Sequence, residues 1–228
     1  MKKRVAVFDI DGTIFRSSLI IELVDALIDE GLFPKHARAL YRAAHIKWLD
    51  RQGSYDDYID AVVKVFMKNI KGVRYDKYIA VAKRVIAIHK DRTYRYTRQL
   101  VSDLKKKNYY LLALSNSPKD ILDLFCSKYG FDKVYGRMYE VGGNEKFNGK
   151  LITPELVADK SKLLHRTLLK ESLSLAGSIG VGDTESDITF LKQVSRAICF
   201  NPNSLLYKYA QRAGWEVIVE RKDMIYKM

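Results

Sequence analysis

The sequence predicts an α/β fold, a doubly wound parallel sheet with an inserted all-helical domain. Short apolar runs alternate with helical patterns over most of the chain, whereas from Ser17 to about Asp91 the apolar spacing is helical throughout. Carboxylates and hydroxyls stand directly after several of the apolar runs, where open parallel sheets bind their ligands.

The first run, Arg4 to Phe8, is rich in β-branched and aromatic residues and stops at Asp9-Ile10-Asp11-Gly12, which reads as a buried strand followed by a turn. Tyr109 to Leu114, Leu175 to Val181, Ala197 to Phe200 and Glu216 to Val219 read the same way. Between them lie helix-like segments at Leu19 to Glu30, Lys35 to Asp50, Tyr55 to Lys71 and Asp76 to Lys90. In the third, Ile59, Val62, Val63, Phe66 and Ile70 recur at three and four residue spacing, as in an amphipathic helix. Gly31, Pro34, Gly53-Ser54 and Gly72 supply the breaks. The segment Thr93 to Lys107 returns the chain to the sheet, so the expected division is a core of residues 1–16 and 93–228 and a helical insertion of residues 17–92. Tyr135 to Val141 and Lys146 to Ile152 flank a glycine-rich stretch and suggest a small β excursion, with Asn148-Gly149 as a strong turn signal.

A chain of 228 residues with 47% hydrophobic and 29% charged residues can bury a sizeable core, and with four prolines and no low-complexity tract nothing favours disorder. No stretch approaches the roughly 20 apolar residues that span a bilayer, and the apolar run near the N-terminus is too short for a signal peptide, so a cytoplasmic location is expected. Cys126 and Cys199 lack metal-ligand spacing and read as buried, reduced thiols. The net charge of +13 favours anionic partners, from phosphorylated metabolites to nucleic acid or anionic membranes, without naming one.

The two-residue spacing of Asp9 and Asp11 projects both carboxylates to one side of an extended chain, and such oxygen pairs suit Mg²⁺. An Asp-Gly turn with Asp9 as a cap is the plainer alternative. Ser115-Asn116-Ser117-Pro118 follows the second run and offers a hydroxyl and helix N-terminal amides to a phosphoryl group, or serves only as a helix cap. Lys160 lies early in the helical segment Ala158 to Leu169, capped by Asp159; it suits a transferring phosphoryl group, with Lys162 as the rival position and a surface lysine as the default. Gly180 to Asp187 puts Asp183 at a strand end and Asp187 one turn on, both able to face one cavity, although Thr184 and Asp187 also imitate a capping box.

Asp-x-Asp-Gly-Thr, a later Ser, a Lys and Gly-Asp-x-x-x-Asp, in that order, resemble the four motifs of the haloacid dehalogenase superfamily, and the helical insertion resembles the type 1 cap of its phosphoserine-phosphatase-like members. That resemblance implies a Rossmann-like core and a magnesium-dependent phosphatase acting on a small phosphorylated substrate. It implies Asp9 as nucleophile, Asp11 as general acid and base, Lys160 as charge neutraliser, and a metal site of Asp9, the Asp11 carbonyl and Asp183, with Asp187 supporting metal or lysine. Thr13, Arg16, Ser115 and Asn116 are the implied substrate-binding residues, Arg16 as a candidate for an acidic substrate.

Asp11 argues against dehalogenation, because dehalogenases of the superfamily lack this second aspartate. Phosphotransfer to another alcohol would use the same residues. The glutamate that follows the first motif in phosphoserine phosphatases has no counterpart in Ile14 to Leu19, and Asn116-Ser117 replaces the glycines of their second motif, which counts against phosphoserine itself. His36, His45, His89 and His165 show no ligand spacing. Tyr41, Trp48, Tyr55, Tyr58 and Phe66 read as packing within the insertion rather than as platforms for bases. The rival function is a protein of this fold that binds nucleic acid or acidic lipid through its positive surface, or processes nucleic-acid ends, a reading the intact motifs disfavour.

Overall fold

The computed structural model describes residues 2–152 and 159–228, so Ala158 of the predicted Lys160 helix lies outside them. The chain divides into two compact units, one of Met1–Arg16, Asp91–Arg137 and Thr153–Met228, the other of Ser17–Lys90 and Met138–Ile152.

The first unit is built on a parallel sheet. Strand β1 (Arg4–Asp9) pairs in parallel with β2 (Tyr110–Pro118) on one side and β5 (Ser174–Gly182) on the other. The start of β3 (Lys133–Val141) extends the sheet beyond β2, while β6 (Arg196–Phe200) and β7 (Glu216–Arg221) extend it beyond β5, all in parallel. The hairpin strand β8 (Met224–Lys227) closes the β7 edge antiparallel. Successive crossovers run outward from β1 in one direction and from β5 in the other, which makes the carboxyl ends of β1 and β5 the switch point where such sheets bind ligands.

Burial explains the central strand. Val5, Ala6, Val7 and Phe8 are all inaccessible to solvent, as a strand covered on both faces requires. Helix α5 (Arg95–Lys106) turns Thr97, Val101 and Leu104 inward, and α6 (Lys119–Ser127) buries Ile121, Leu122, Phe125 and Cys126 at helical spacing. Both cysteines are buried free thiols, as the sequence implies.

The second unit contains α1 (Leu19–Asp29), a 3₁₀ turn at Lys35–Arg38, α2 (Ala39–Leu49), α3 (Tyr55–Asn69) and α4 (Tyr75–His89). A capping box between Ser54 and Asp57 starts α3, with each side chain taking the other residue's backbone N–H. The later part of β3 pairs antiparallel with β4 (Phe147–Ile152), and Tyr139 and Phe147 from this hairpin meet Phe66 and Tyr78 of α3 and α4, each ring pair at 5.0 Å. These contacts group Met138–Ile152 with the helices, whereas the sequence reading keeps that excursion with the core.

Asn148-Gly149 does not form the hairpin turn. It lies inside β4, where Gly149 has φ +84°, and the pairing register shifts between Tyr139 and Val141; the strong local turn signal is absorbed as an irregularity of the ladder. Among the described residues, no helix is long and apolar enough to cross a membrane.

Candidate active site

The carboxyl ends of β1, β2 and β5, with the start of helix α7 (Lys160–Lys170), bring the predicted polar residues together within the first unit. Asp9, the last residue of β1, is buried and accepts a hydrogen bond at 2.6 Å from Lys160 Nζ. The same ammonium donates to Asp187 Oδ1 at 2.5 Å. Asp187 is wholly buried, and its other oxygen accepts the backbone N–H groups of Asp183 and Thr184 at 2.9 and 3.1 Å. The capping box read from Thr184 and Asp187 is therefore present, and it serves the site, because the carboxylate that caps the turn also clamps the lysine.

Asp183 stands after β5. One of its oxygens accepts from Thr13 Oγ1 at 3.1 Å, and its carbonyl accepts from the Asn203 N–H at 2.8 Å. Thr13 is completely buried, and its hydroxyl supports Asp183. Thr97 Oγ1 in turn donates to the Thr13 carbonyl at 2.8 Å. Ser115 Oγ donates to Asp11 Oδ2 and accepts the Ser117 N–H at 2.9 Å, which joins the ends of β1 and β2. Asn116 is the exposed residue of an otherwise buried β2. Arg16 is exposed, stacked over the Tyr94 ring at 5.4 Å, and makes no ion pair among the described residues. The structure does not bring it into the carboxylate cluster. Lys162, the rival to Lys160, is exposed on α7.

Two glycines make the cluster possible. Gly12 has φ +79°, and a Cβ there would lie 2.1 Å from Asp183 Oδ2; at Gly182 a Cβ would lie 2.6 Å from Asp187 Cγ. Gly12→Ala should therefore cost about 1–3 kcal/mol in backbone strain and displace Asp183. The expected result is a melting temperature several degrees lower together with loss of most activity, and a Gly12→Ala protein with unchanged turnover would remove the case for close packing of the two strand ends.

The electrostatics are unbalanced. Carboxylate oxygens of Asp9, Asp183 and Asp187 lie within 4.8 Å of one another, against the single ammonium of Lys160. Burial pushes the Asp9 carboxyl up to about 8, against the pull of Lys160 and with repulsion from Asp187 and Asp11 added. Asp183 is also held well above the ordinary carboxyl range, first by burial and then by Asp9 and Asp187. Burial alone would depress Lys160, but Asp187 and Asp9 outweigh it and raise its proton affinity above that of an ordinary lysine. Since Asp187 spends both oxygens on Lys160 and the backbone, the oxygens of Asp9 and Asp183 that take no hydrogen bond among the described residues are the ones suited to a hard cation. The donor set fits Mg²⁺, whose charge would balance the two surplus negative charges of the cluster.

Residues 6–192 match the haloacid dehalogenase-like hydrolase family. The chain belongs to that family. A histidinol-phosphatase of Neisseria meningitidis is 26% identical to this hydrolase over 95% of the chain and 98% of the relative. Among solved structures, a protein of unknown function from Bordetella pertussis superposes with TM-score 0.75 at 16% identity, over 95% of this chain and 98% of that one. A phosphoserine phosphatase solved as a phospho-aspartyl intermediate analogue gives TM-score 0.63 at 18% identity, over 98% and 96%. The sequence expectation of a haloacid dehalogenase-type phosphatase, with its α/β core, is borne out by these matches.

Sequence reading missed Thr97, Asn203 and Tyr94, which support Thr13, Asp183 and Arg16. Asn203 carried a signal, because it caps helix α8 (Ser204–Ala213) directly after β6, another strand whose carboxyl end faces this edge of the sheet. Thr97 and Tyr94 carried none, since their partners are remote in sequence.

Proposed function

We propose that this hydrolase is a magnesium-dependent phosphatase that cleaves a phosphate monoester through an aspartyl phosphate on Asp9. The observation that carries the reading is the Asp9–Lys160–Asp187 bridge beside Asp183, which presents a buried carboxylate oxygen at a strand end with cationic help from one side. In this reading Asp9 attacks phosphorus in line and expels the alcohol, while Asp11 donates the proton that the leaving oxygen takes up. Asp11 then removes a proton from water, which attacks the acyl phosphate, releases inorganic phosphate and restores Asp9. Lys160, the Ser115 hydroxyl and amides near Asn116 and Ile10 hold the phosphoryl oxygens. Mg²⁺ held by Asp9, Asp183 and the Asp11 carbonyl would neutralise charge on the transferring group.

Asp187 acts as a positioning residue that orients Lys160 and the turn after β5. The Ser115–Asp11 bond keeps both groups in register until a substrate oxygen takes the place of the carboxylate. A relative named histidinol-phosphatase and a neighbour named phosphoserine phosphatase support a small phosphorylated metabolite as substrate. Arg16, exposed and held against Tyr94, is available for an acidic group on such a molecule.

The test is phosphate release from a panel of phosphorylated metabolites with Mg²⁺ and with chelator. Turnover that needs the metal supports the proposal; turnover undiminished by chelator overturns it. A second, activity-independent readout follows from the raised Asp9 carboxyl. A carboxyl raised in the folded state binds its proton more tightly there than in the unfolded chain, so its stabilisation is complete below 3.8 and is lost as the pH rises through about 8. In chelator the melting temperature should fall across that window. Mg²⁺ should restore it most at the upper end, by about 2.7 kcal/mol at a hundredfold excess over Kd, and a pH-independent effect of the metal would argue against these carboxylates as its ligands.

A further inference from the structure

We propose that the outward face of α7 binds the phosphodiester backbone of a nucleic-acid strand. Lys162, His165, Arg166, Leu169 and Lys170 are all exposed and follow one another at three and four residue spacing, which sets them on one side of the helix. Leu163, Leu164 and Thr167 are buried on the other side, together with Lys160, whose ammonium reaches Asp9 and Asp187. The helix thus divides its cations between the carboxylate cluster and the surface. Its outward side lines a groove of about 790 Å³, completed by Ser161 and Gln193.

The charge of this groove has one sign. Among the described residues, Lys162, Arg166 and Lys170 make no ion pair. Asp159 lies near enough to Lys162 to feel its charge, but one of its oxygens accepts both the N–H and the hydroxyl of Ser161 at the helix start. Glu171, nine residues beyond Lys162, falls on the opposite side at about 100° per residue. The three cations stand four residues apart, so they form a row with steps of about 6 Å along the helix axis. A row suits an extended polyanion better than a compact one, because a single phosphate meets one of these charges fully and the others only at a distance. Successive phosphates of a strand recur on that length scale, and Leu169, 70% exposed, and His165 flank the row with surfaces on which bases can lie. A membrane would need an apolar face, and Leu169 is the one apolar residue of the five. An acidic peptide would answer the cations but has no planar groups to place against Leu169 and His165. The protein's net charge of +13 adds a diffuse attraction for the same polyanion.

The decisive experiment is fluorescence anisotropy of a labelled single-stranded oligonucleotide titrated with the full chain in chelator. The oligonucleotide carries no terminal phosphate, so the carboxylate site has no monoester to hold. Three phosphate contacts should give a loss of affinity of roughly twentyfold between 50 and 200 mM salt. Lys162→Gln with Arg166→Gln and Lys170→Gln should remove that share of the salt dependence and weaken binding on the order of tenfold or more at the lower salt. Lys64→Gln with Lys68→Gln and Lys83→Gln removes the same charge from exposed positions of the second unit and should change binding little. All six residues are exposed and glutamine is as good a helix former as lysine, so the circular-dichroism melts of both variants should match wild type. Asp9→Asn should bind as wild type does, which separates this inference from the phosphatase reading. Failure to bind the strand overturns the proposal. Equal losses in the two triple variants also overturn it, because net charge and not the groove would then hold the strand. Polyglutamate bound as tightly as the strand, and released by the same three substitutions in α7, would overturn it in favour of an acidic protein partner.

Discussion

Asp9→Asn should reduce phosphate release by on the order of 10⁴-fold or more while leaving the fold intact. The amide is nearly isosteric with the carboxylate and can still accept from Lys160, so the β1 end should keep its geometry. What it loses is the anionic oxygen that forms the bond to phosphorus. The substitution also removes a carboxyl that burial raises to about 8 and that the folded state must keep protonated or else bear as a buried charge. In chelator near neutral pH the Asp9→Asn protein should therefore melt at or above the wild-type temperature. Rate and stability moving in opposite directions would mark Asp9 as a group held at the expense of the fold for its chemistry. A variant that retained normal turnover would defeat the nucleophile assignment, and one that unfolded would show Asp9 to be structural.

Lys160→Met should show the opposite stability effect. Among the described residues, Lys160 is the sole cation bridging Asp9 and Asp187, both of which are buried. Methionine preserves much of the stem's packing and leaves the carboxylates without their counter-charge, and breaking a buried pair in this way costs about 3–5 kcal/mol. Loss of the bridge also frees Asp187, whose second oxygen orders the turn after β5, so Asp183 should lose its position with it. Activity should fall by about three orders of magnitude from the lost charge at the transferring group alone. Lys162→Met is the matched control: it lies two residues further on, on the exposed side of α7, and should change neither quantity appreciably. Equal effects of the two substitutions in denaturant melts and turnover assays would show that no special role attaches to Lys160.

The order of strands and helices was legible because each level of the sequence agreed with the next. A continuous apolar run such as Val5 to Phe8 can be satisfied only by a strand covered on both faces, and the uninterrupted helical spacing after Ser17 leaves no material for another strand. Asp9, Ser115 and Asp183 could be picked out because a parallel sheet collects the residues at its strand ends, whatever their separation along the chain. The turn signal at Asn148-Gly149 was overridden for a reason of the same kind. A local preference for a turn is worth little beside the pairing of β3 with β4 and the packing of Tyr139 and Phe147 on two helices.

The sequence by itself determined the residue types at the site and their order, since chemistry selects carboxylates, a hydroxyl and a lysine whatever surrounds them. Only the tertiary structure decided which partner each one takes. Lys160 rather than Lys162 turns inward because its position on α7 faces Asp9 and Asp187, and Thr13 holds Asp183 because Gly12 lets the two strand ends approach. Hydrogen bonds and burial are set by distance in space, and a sequence pattern fixes that distance only within an element.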